Sequence, residues 1–118
     1  MRETKFRAWD NLDRKMSKAI PLIELIGEMP ERLFGNHPWS HLIWMQYTGL
    51  HDKNGKEYYA EDIFLRQGIK HIIRWSEEGA GWWLYWLDGG ASMPFKKVLA
   101  ESGEVIGDIY SNPELLGK

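Results

Sequence analysis

IKHIIRWSEEGAGWWLYWL, residues 69–87, is the stretch that decides the fold. Residues 69–75 and 81–87 are rich in Ile, Trp and Tyr, with SEEGA between them. Two such runs joined by a short Gly-containing connection read as a β-hairpin. In a strand at 81–87 successive side chains alternate, so Trp82, Leu84 and Trp86 share one face while Trp83, Tyr85 and Leu87 share the other. One face can line a core. The other needs cover from another segment, a second subunit or a ligand. Large aromatics are enriched at the centres of interfaces, so Trp82, Trp83, Tyr85 and Trp86 are expected to form a contact between subunits. Bases can also stack on such rings, with Arg66, Lys70 and Arg74 on the neighbouring strands as phosphate partners.

Working outward, more strands follow. ETKFRAW, 3–9, alternates, with Phe6 and Ala8 on one face and Lys5, Arg7 and Trp9 on the other. NLDR, 11–14, is a polar turn, and a short strand is expected near 15–20. HLIWMQYT, 41–48, is apolar on both faces, which suits a central strand. EYYAEDIFLR, 57–66, reads as a strand bent near Ala60-Glu61. DGGAS, 88–92, is a turn, and MPFKKVLA, 93–100, fits strand or helix. EVIGDIY, 104–110, is a strand whose internal Gly107 suggests a bulge or a close backbone approach. Pro21 and the spacing of Leu22, Leu25 and Ile26 predict a helical insertion over 21–34, limited by Gly27 and Pro30, then a loop at 35–39. SNPELL, 111–116, predicts a short terminal helix with a Ser111-x-x-Glu114 capping box. Short strands separated by Gly/Asn turns point to a mainly β protein, a small barrel or sandwich.

The 118 residues favour one domain, 1–118, long enough to bury about two-thirds of the unfolded chain's surface. The absence of cysteine excludes a disulfide framework, a thiolate metal site and a Cys nucleophile. MRETKFRAWD carries no apolar signal region and no apolar run is long enough for a membrane helix, so a cytoplasmic protein with no membrane partner is expected. A net charge of −2 and a pI near 6.1 disfavour strong non-specific nucleic-acid binding. Residues 2–18 nonetheless have a balance of +3 and residues 100–118 of −3, complementary patches that can pair within or between subunits. Seven Trp against four Phe suggests that some indoles meet a partner.

Three stretches together, MRETKFRAWD at 1–10, MQYTGLHDKNGKEYYAEDI at 45–63 and EVIGDIYSNPELL at 104–116, resemble the YopX family of phage and prophage proteins. The resemblance implies an SH3-like β-barrel with added helical elements and a large homo-oligomer. It assigns no catalytic residue and no cofactor. Arg7, Trp9, Asp10, Gln46, Tyr47, Thr48 and Asp62 lie in the shared motifs and are the candidate binding residues. Tyr58 and Ala60-Glu61 stand where the family has Ile and Glu-Gly. If that turn needs a positive φ, Glu61 bears about 1 kcal/mol of strain or more, or the turn has changed type.

Little else points to chemistry. Asp52-Lys53-Asn54-Gly55 begins like a calcium loop, but counting from Asp52 puts Lys56 at position 5 and Ile63 at position 12, where Asp/Asn and Glu are needed. Asn54-Gly55 suits a hairpin turn, type I′ or with a G1 bulge, and Asp52 an Asx-turn. His37 and His41 have helical metal spacing, but Pro38 breaks the helix they need, and His51 and His71 are isolated. No metal is expected. Asp10, Asp52 and Asp62 can do acid–base work only if two of them meet; the simpler reading is that each caps a turn. The expected function is therefore an oligomeric binding or structural module of a phage or prophage. A nucleic-acid-binding accessory protein is the alternative, and a carboxylate hydrolase a more distant one.

Overall fold

A computed structural model describes residues 3–22, 42–87 and 92–117. Among these residues the protein is mainly β, with two antiparallel sheets. The first contains β1 (Lys5–Asp10), β2 (Lys15–Met16), β3 (Ile20–Pro21), β4 (Leu42–His51) and β5 (Glu57–Tyr59). Its order is β2-β1-β4-β5, and β3 pairs with the other end of β1. The second contains β6 (Asp62–Arg66), β7 (Ile69–Ser76), β8 (Gly81–Trp86), β9 (Ser92–Pro94) and β10 (Glu104–Asp108), in the order β10-β6-β7-β8-β9. A single helical turn and a half, α1 (Lys97–Ser102), joins β9 to β10, and a 3-10 helix spans Pro113–Leu116.

The hairpin of 69–87 is the centre of the second sheet. Its register sets His71 opposite Trp86, Ile73 opposite Leu84 and Trp75 opposite Trp82 on one face, and Ile72 opposite Tyr85 and Arg74 opposite Trp83 on the other. The first face meets the core of Tyr58, Phe64, Ile73, Leu84, Phe95 and Ala100, with Trp82 packed against it. The rings of Tyr58, Phe64 and Phe95 meet edge-on or tilted at 4.9–5.8 Å, the arrangement that ring quadrupoles favour. Tyr58 reaches this core from the first sheet and donates its O–H to Ala100 O at 2.7 Å.

The run 57–66 is not one bent strand. It divides at Ala60-Glu61 into β5 and β6, which belong to different sheets. Glu61 has φ 69°, so the left-handed turn is kept without its glycine. The backbone there is over-determined: Glu61 N–H donates to Ile73 O at 2.7 Å and Glu61 O accepts from Ile109 N–H at 3.1 Å. The hairpin at 52–56 is the G1-bulge form rather than I′, because Gly55 has φ 82° and Asn54 is not left-handed. Gly55 N–H donates to Asp52 O and Asp52 N–H to Lys56 O.

Gly107 marks both a bulge and a close approach. The β6–β10 register shifts between Val105 and Gly107, and a Cβ at Gly107 would lie 2.5 Å from Asn112 Oδ1. The terminal helix is 3-10, with Asn112 as N-cap and Pro113 following it. The expected capping box does not form, because Ser111 N–H turns back to Asp108 Oδ1 and no side chain caps the helix. MPFKKVLA holds both alternatives in sequence, β9 ending at Pro94 and α1 starting at Lys97. Pro21 pairs with Lys5 in a strand, and Leu22, directly after it, is helical. The rest of the helical expectation for 21–34, the loop at 35–39, the His37/His41 pair and most of the 88–92 turn lie outside the described residues.

Candidate functional site

Alternation along β1 sends Lys5 and Arg7 to one face, where β4 and β5 offer Tyr47 and Tyr59, themselves cross-strand partners. Arg7 lies over the Tyr59 ring at 4.7 Å and Lys5 over the Tyr47 ring at 4.9 Å, distances at which a cation is attracted to a ring face. Arg7 Nη2 donates to Asp62 Oδ1 at 2.6 Å, and Asp62 Oδ2 accepts the Tyr59 N–H at 2.7 Å. Lys5 Nζ donates to Glu57 Oε2 at 2.5 Å and also pairs with Glu3. Tyr59 O–H donates to the other oxygen of Glu57. Two cations, three carboxylates and two tyrosines thus form one network across three strands, the start of a fourth and Glu3 ahead of β1.

Burial decides its electrostatics. Asp62 is 1% exposed. Loss of water pushes its carboxyl up to about 6, while Arg7 and the Tyr59 N–H hold it from rising further. At neutral pH it is ionised, and both oxygens have donors. The hydrogen bond from Lys5 to Glu57 holds the ammonium above its ordinary range. Burial, and then the Glu57 charge, raise the Tyr59 phenol. Beside the network lies a recess of about 250 Å³ lined by Arg7, Lys56, Glu57 and Tyr59 with Met16, Ser17 and Ala19. Arg7 Nε is buried beside it with no protein partner.

Of the sequence-predicted binding residues, Arg7, Tyr47 and Asp62 come together here, although Arg7 and Asp62 are 55 positions apart. Trp9 instead stacks on Tyr110 at 5.9 Å. Asp10 accepts the N–H groups of Leu12 and Asp13 and so holds the NLDR turn. Thr48 is buried, donating to Tyr58 O and accepting from Leu50 N–H. Gln46 is half-buried, and its backbone carbonyl accepts from Ala60. Lys5, Glu57 and Tyr59 were missed. The signal for them was the same alternation that gave Arg7, carried to a strand two positions away in the sheet.

The aromatic strand divides between faces. Trp82 packs on the core and Trp86 lines a small cavity on the same side, while Trp83 and Tyr85 are half-buried on the opposite face. The neighbouring cations each have a partner: Arg66 on Ser102 Oγ, Lys70 on Leu115 O and Arg74 on Glu61. Among the described residues no group of three or more His, Asp or Glu is placed to hold a metal ion.

The sequence profile described as YopX protein matches residues 5–117, nearly the whole chain. The chain belongs to the YopX family. Arg7, Tyr47, Tyr59 and Asp62 all fall within the YopX match. The crystal structure of protein EF1440 from Enterococcus faecalis is similar to this YopX chain, with 26% identity and a TM-score of 0.70 over 98% of this chain and 99% of that one. No curated protein matches it.

Proposed function

We propose that this YopX chain is a phage- or prophage-encoded module of the bacterial cytoplasm that assembles with copies of itself and binds rather than catalyses. The observation that carries the reading is an ordered aromatic platform left open on one chain. Trp75 is 49% exposed and is held edge-on against Trp82 at 5.4 Å. A fixed indole costs little further entropy when it is covered, which is why Trp is frequent among the residues that dominate interfaces. Exposed Arg14, Lys15 and Lys18 near one end of the chain, and Glu101 and Glu114 near the other, offer a second copy charge of complementary sign.

The SH3-like barrel belongs to the same proposal. The ten-residue β4 pairs with β1 at one end and β5 at the other, and its pairing with β5 shifts register between Tyr47 and His51, where Gly49 takes φ 89°. A strand bent at glycine lets a small sheet curl on itself. The binding reading is also supported by the use made of the carboxylates. Asp10 and Asp52 accept backbone N–H groups of their own turns, and Asp62 is shared between Arg7 and Tyr59. Size-exclusion chromatography with light scattering on the full chain at micromolar concentration tests the proposal. A mass of two or more chains is expected, and a strictly single-chain mass refutes assembly.

A further inference from the structure

The loop that ties the first sheet to β10 contains the only Asn-Gly pair in the chain, Asn54-Gly55. Asparagine is a thermolabile residue, most of all before glycine, where no Cβ shields the next backbone nitrogen. Asn54 and Gly55 are both exposed, and a Cβ built on Gly55 would meet nothing within 4 Å. Sterics therefore leave the Gly55 nitrogen free to approach the Asn54 side-chain amide. Hydrogen bonding holds it back. Gly55 N–H donates to Asp52 O at 2.9 Å. On either side, Asn54 N–H and Lys56 N–H donate to Asp52 Oδ1 at 2.9 and 2.8 Å, and Asp52 Oδ2 holds the Val105 N–H. The negative charge of Asp52 also opposes loss of a proton from an amide so close to it.

We propose that Asn54 is a self-modification site gated by the Asp52 clip, and that its reaction with water leaves the clip open. The Gly55 nitrogen gives its proton to water and bonds to Asn54 Cγ. The Cγ–Nδ2 bond breaks, and Nδ2 takes up a proton and leaves as ammonia. Water then adds to either carbonyl of the cyclic imide, the bond from that carbonyl to the Gly55 nitrogen breaks, and the nitrogen regains a proton. Opening at Cγ gives aspartate; opening at the backbone carbonyl gives isoaspartate. The imide nitrogen carries no hydrogen, so the ring and the Gly55–Asp52 hydrogen bond exclude each other. The loop must open locally before it reacts. Isoaspartate then routes the backbone through Cβ and Cγ, which lengthens a loop whose N–H groups are spaced to meet one carboxylate. It also sets a second negative charge two residues from Asp52. The clip cannot close again as before. The reaction uses no group of a second chain and does not depend on assembly.

The test incubates the full chain at mildly alkaline pH, folded in buffer and unfolded in urea. Digestion and mass spectrometry follow the fragment that contains residue 54, with aspartate and isoaspartate separated by chromatography. In the unfolded chain Asn54 should convert faster than Asn11, which precedes leucine. In the folded chain Asn54 should convert more slowly than in urea by about tenfold or more, because reaction waits for opening. Asp52→Ala, folded, should recover much of the faster rate. The isoaspartate form, separated from the aged wild-type chain by ion exchange, should lose hydrogen-exchange protection at the Val105 N–H. Three results overturn the proposal: equal rates in the folded and unfolded wild-type chain, a folded Asp52→Ala chain that converts no faster than wild type, or a Val105 N–H still protected in the isoaspartate form. Two of these comparisons use the wild-type sequence, so they stand even if Asp52→Ala fails to fold.

Discussion

Replacing Asp52 by Asn tests how the second sheet is tied to the hairpin at 52–56. Asp52 is almost fully buried. Its Oδ1 accepts from Asn54 N–H at 2.9 Å and Lys56 N–H at 2.8 Å, and its Oδ2 accepts from Val105 N–H at 3.0 Å. Lys53 N–H adds a bond to Gly103 O. The carboxylate therefore clips a loop of the first sheet to β10, 53 residues on. Asparagine keeps the shape but has one oxygen. With that oxygen toward the loop, its amide N–H₂ faces the Val105 N–H, so one charge-assisted bond is lost and two donors confront each other. The cost is about 2–3 kcal/mol. Asp52→Ala should cost about as much or more, because water reaches the exposed loop amides but less readily Val105. Urea unfolding followed by Trp fluorescence gives the difference from the midpoint at constant slope. The pH sign is fixed by the carboxyl. Burial raises its pKa, but the three backbone N–H groups outweigh burial and hold it below the ordinary 3.8. The contribution is present above that value and lost as pH falls through the lower, folded-state one, so the two proteins should converge in strong acid. A loss below about 0.5 kcal/mol at neutral pH refutes the reasoning.

Other predictions follow the same logic. Glu61→Gly relieves the left-handed φ of 69°; made in an Arg74→Ala background, where the Glu61 ion pair is already gone, it should stabilise by about 0.5–1 kcal/mol in urea unfolding. Gly107→Ala drives a Cβ into Asn112 Oδ1, which is held by the Asp108 N–H, and should cost about 2–3 kcal/mol, read as a fall in Tm. The Asp62 carboxyl should titrate near pH 6 by 13C NMR, and Arg7→Met should move that midpoint upward, since Arg7 is the first of the groups that lower it. Its folded pKa lies above the unfolded one, so this residue's contribution to stability grows as pH falls from about 6 to about 4, opposite in sign to that of Asp52.

Much of the fold was legible because alternation is a local signal. The 69–87 hairpin, the G1 turn at Asn54-Gly55, the bulge at Gly107 and the caps at Asp10 and Asp52 each follow from a few adjacent residues. The division of 57–66 was harder, because Ala60-Glu61 lacks the glycine that announces a left-handed turn, and tertiary bonds to Ile73 and Ile109 hold it instead. The capping box failed for a related reason: Asp108 takes the Ser111 N–H and Asn112 Oδ1 takes the Asp108 N–H. The site was half legible. Motif membership brought Arg7, Tyr47 and Asp62 together but also gathered Asp10 and Thr48, whose side chains serve the backbone. His71 looked isolated in sequence because its neighbours, Phe64 and Trp86, are brought to it by strand register.

Sedimentation equilibrium across the micromolar range, on the wild-type chain and on Trp75→Glu, tests the central claim most directly. The account predicts a wild-type mass that is a multiple of 13.9 kDa and a fall to the single-chain mass when a charge replaces the exposed indole. A wild-type mass of one chain throughout, or an assembly indifferent to Trp75→Glu, contradicts it.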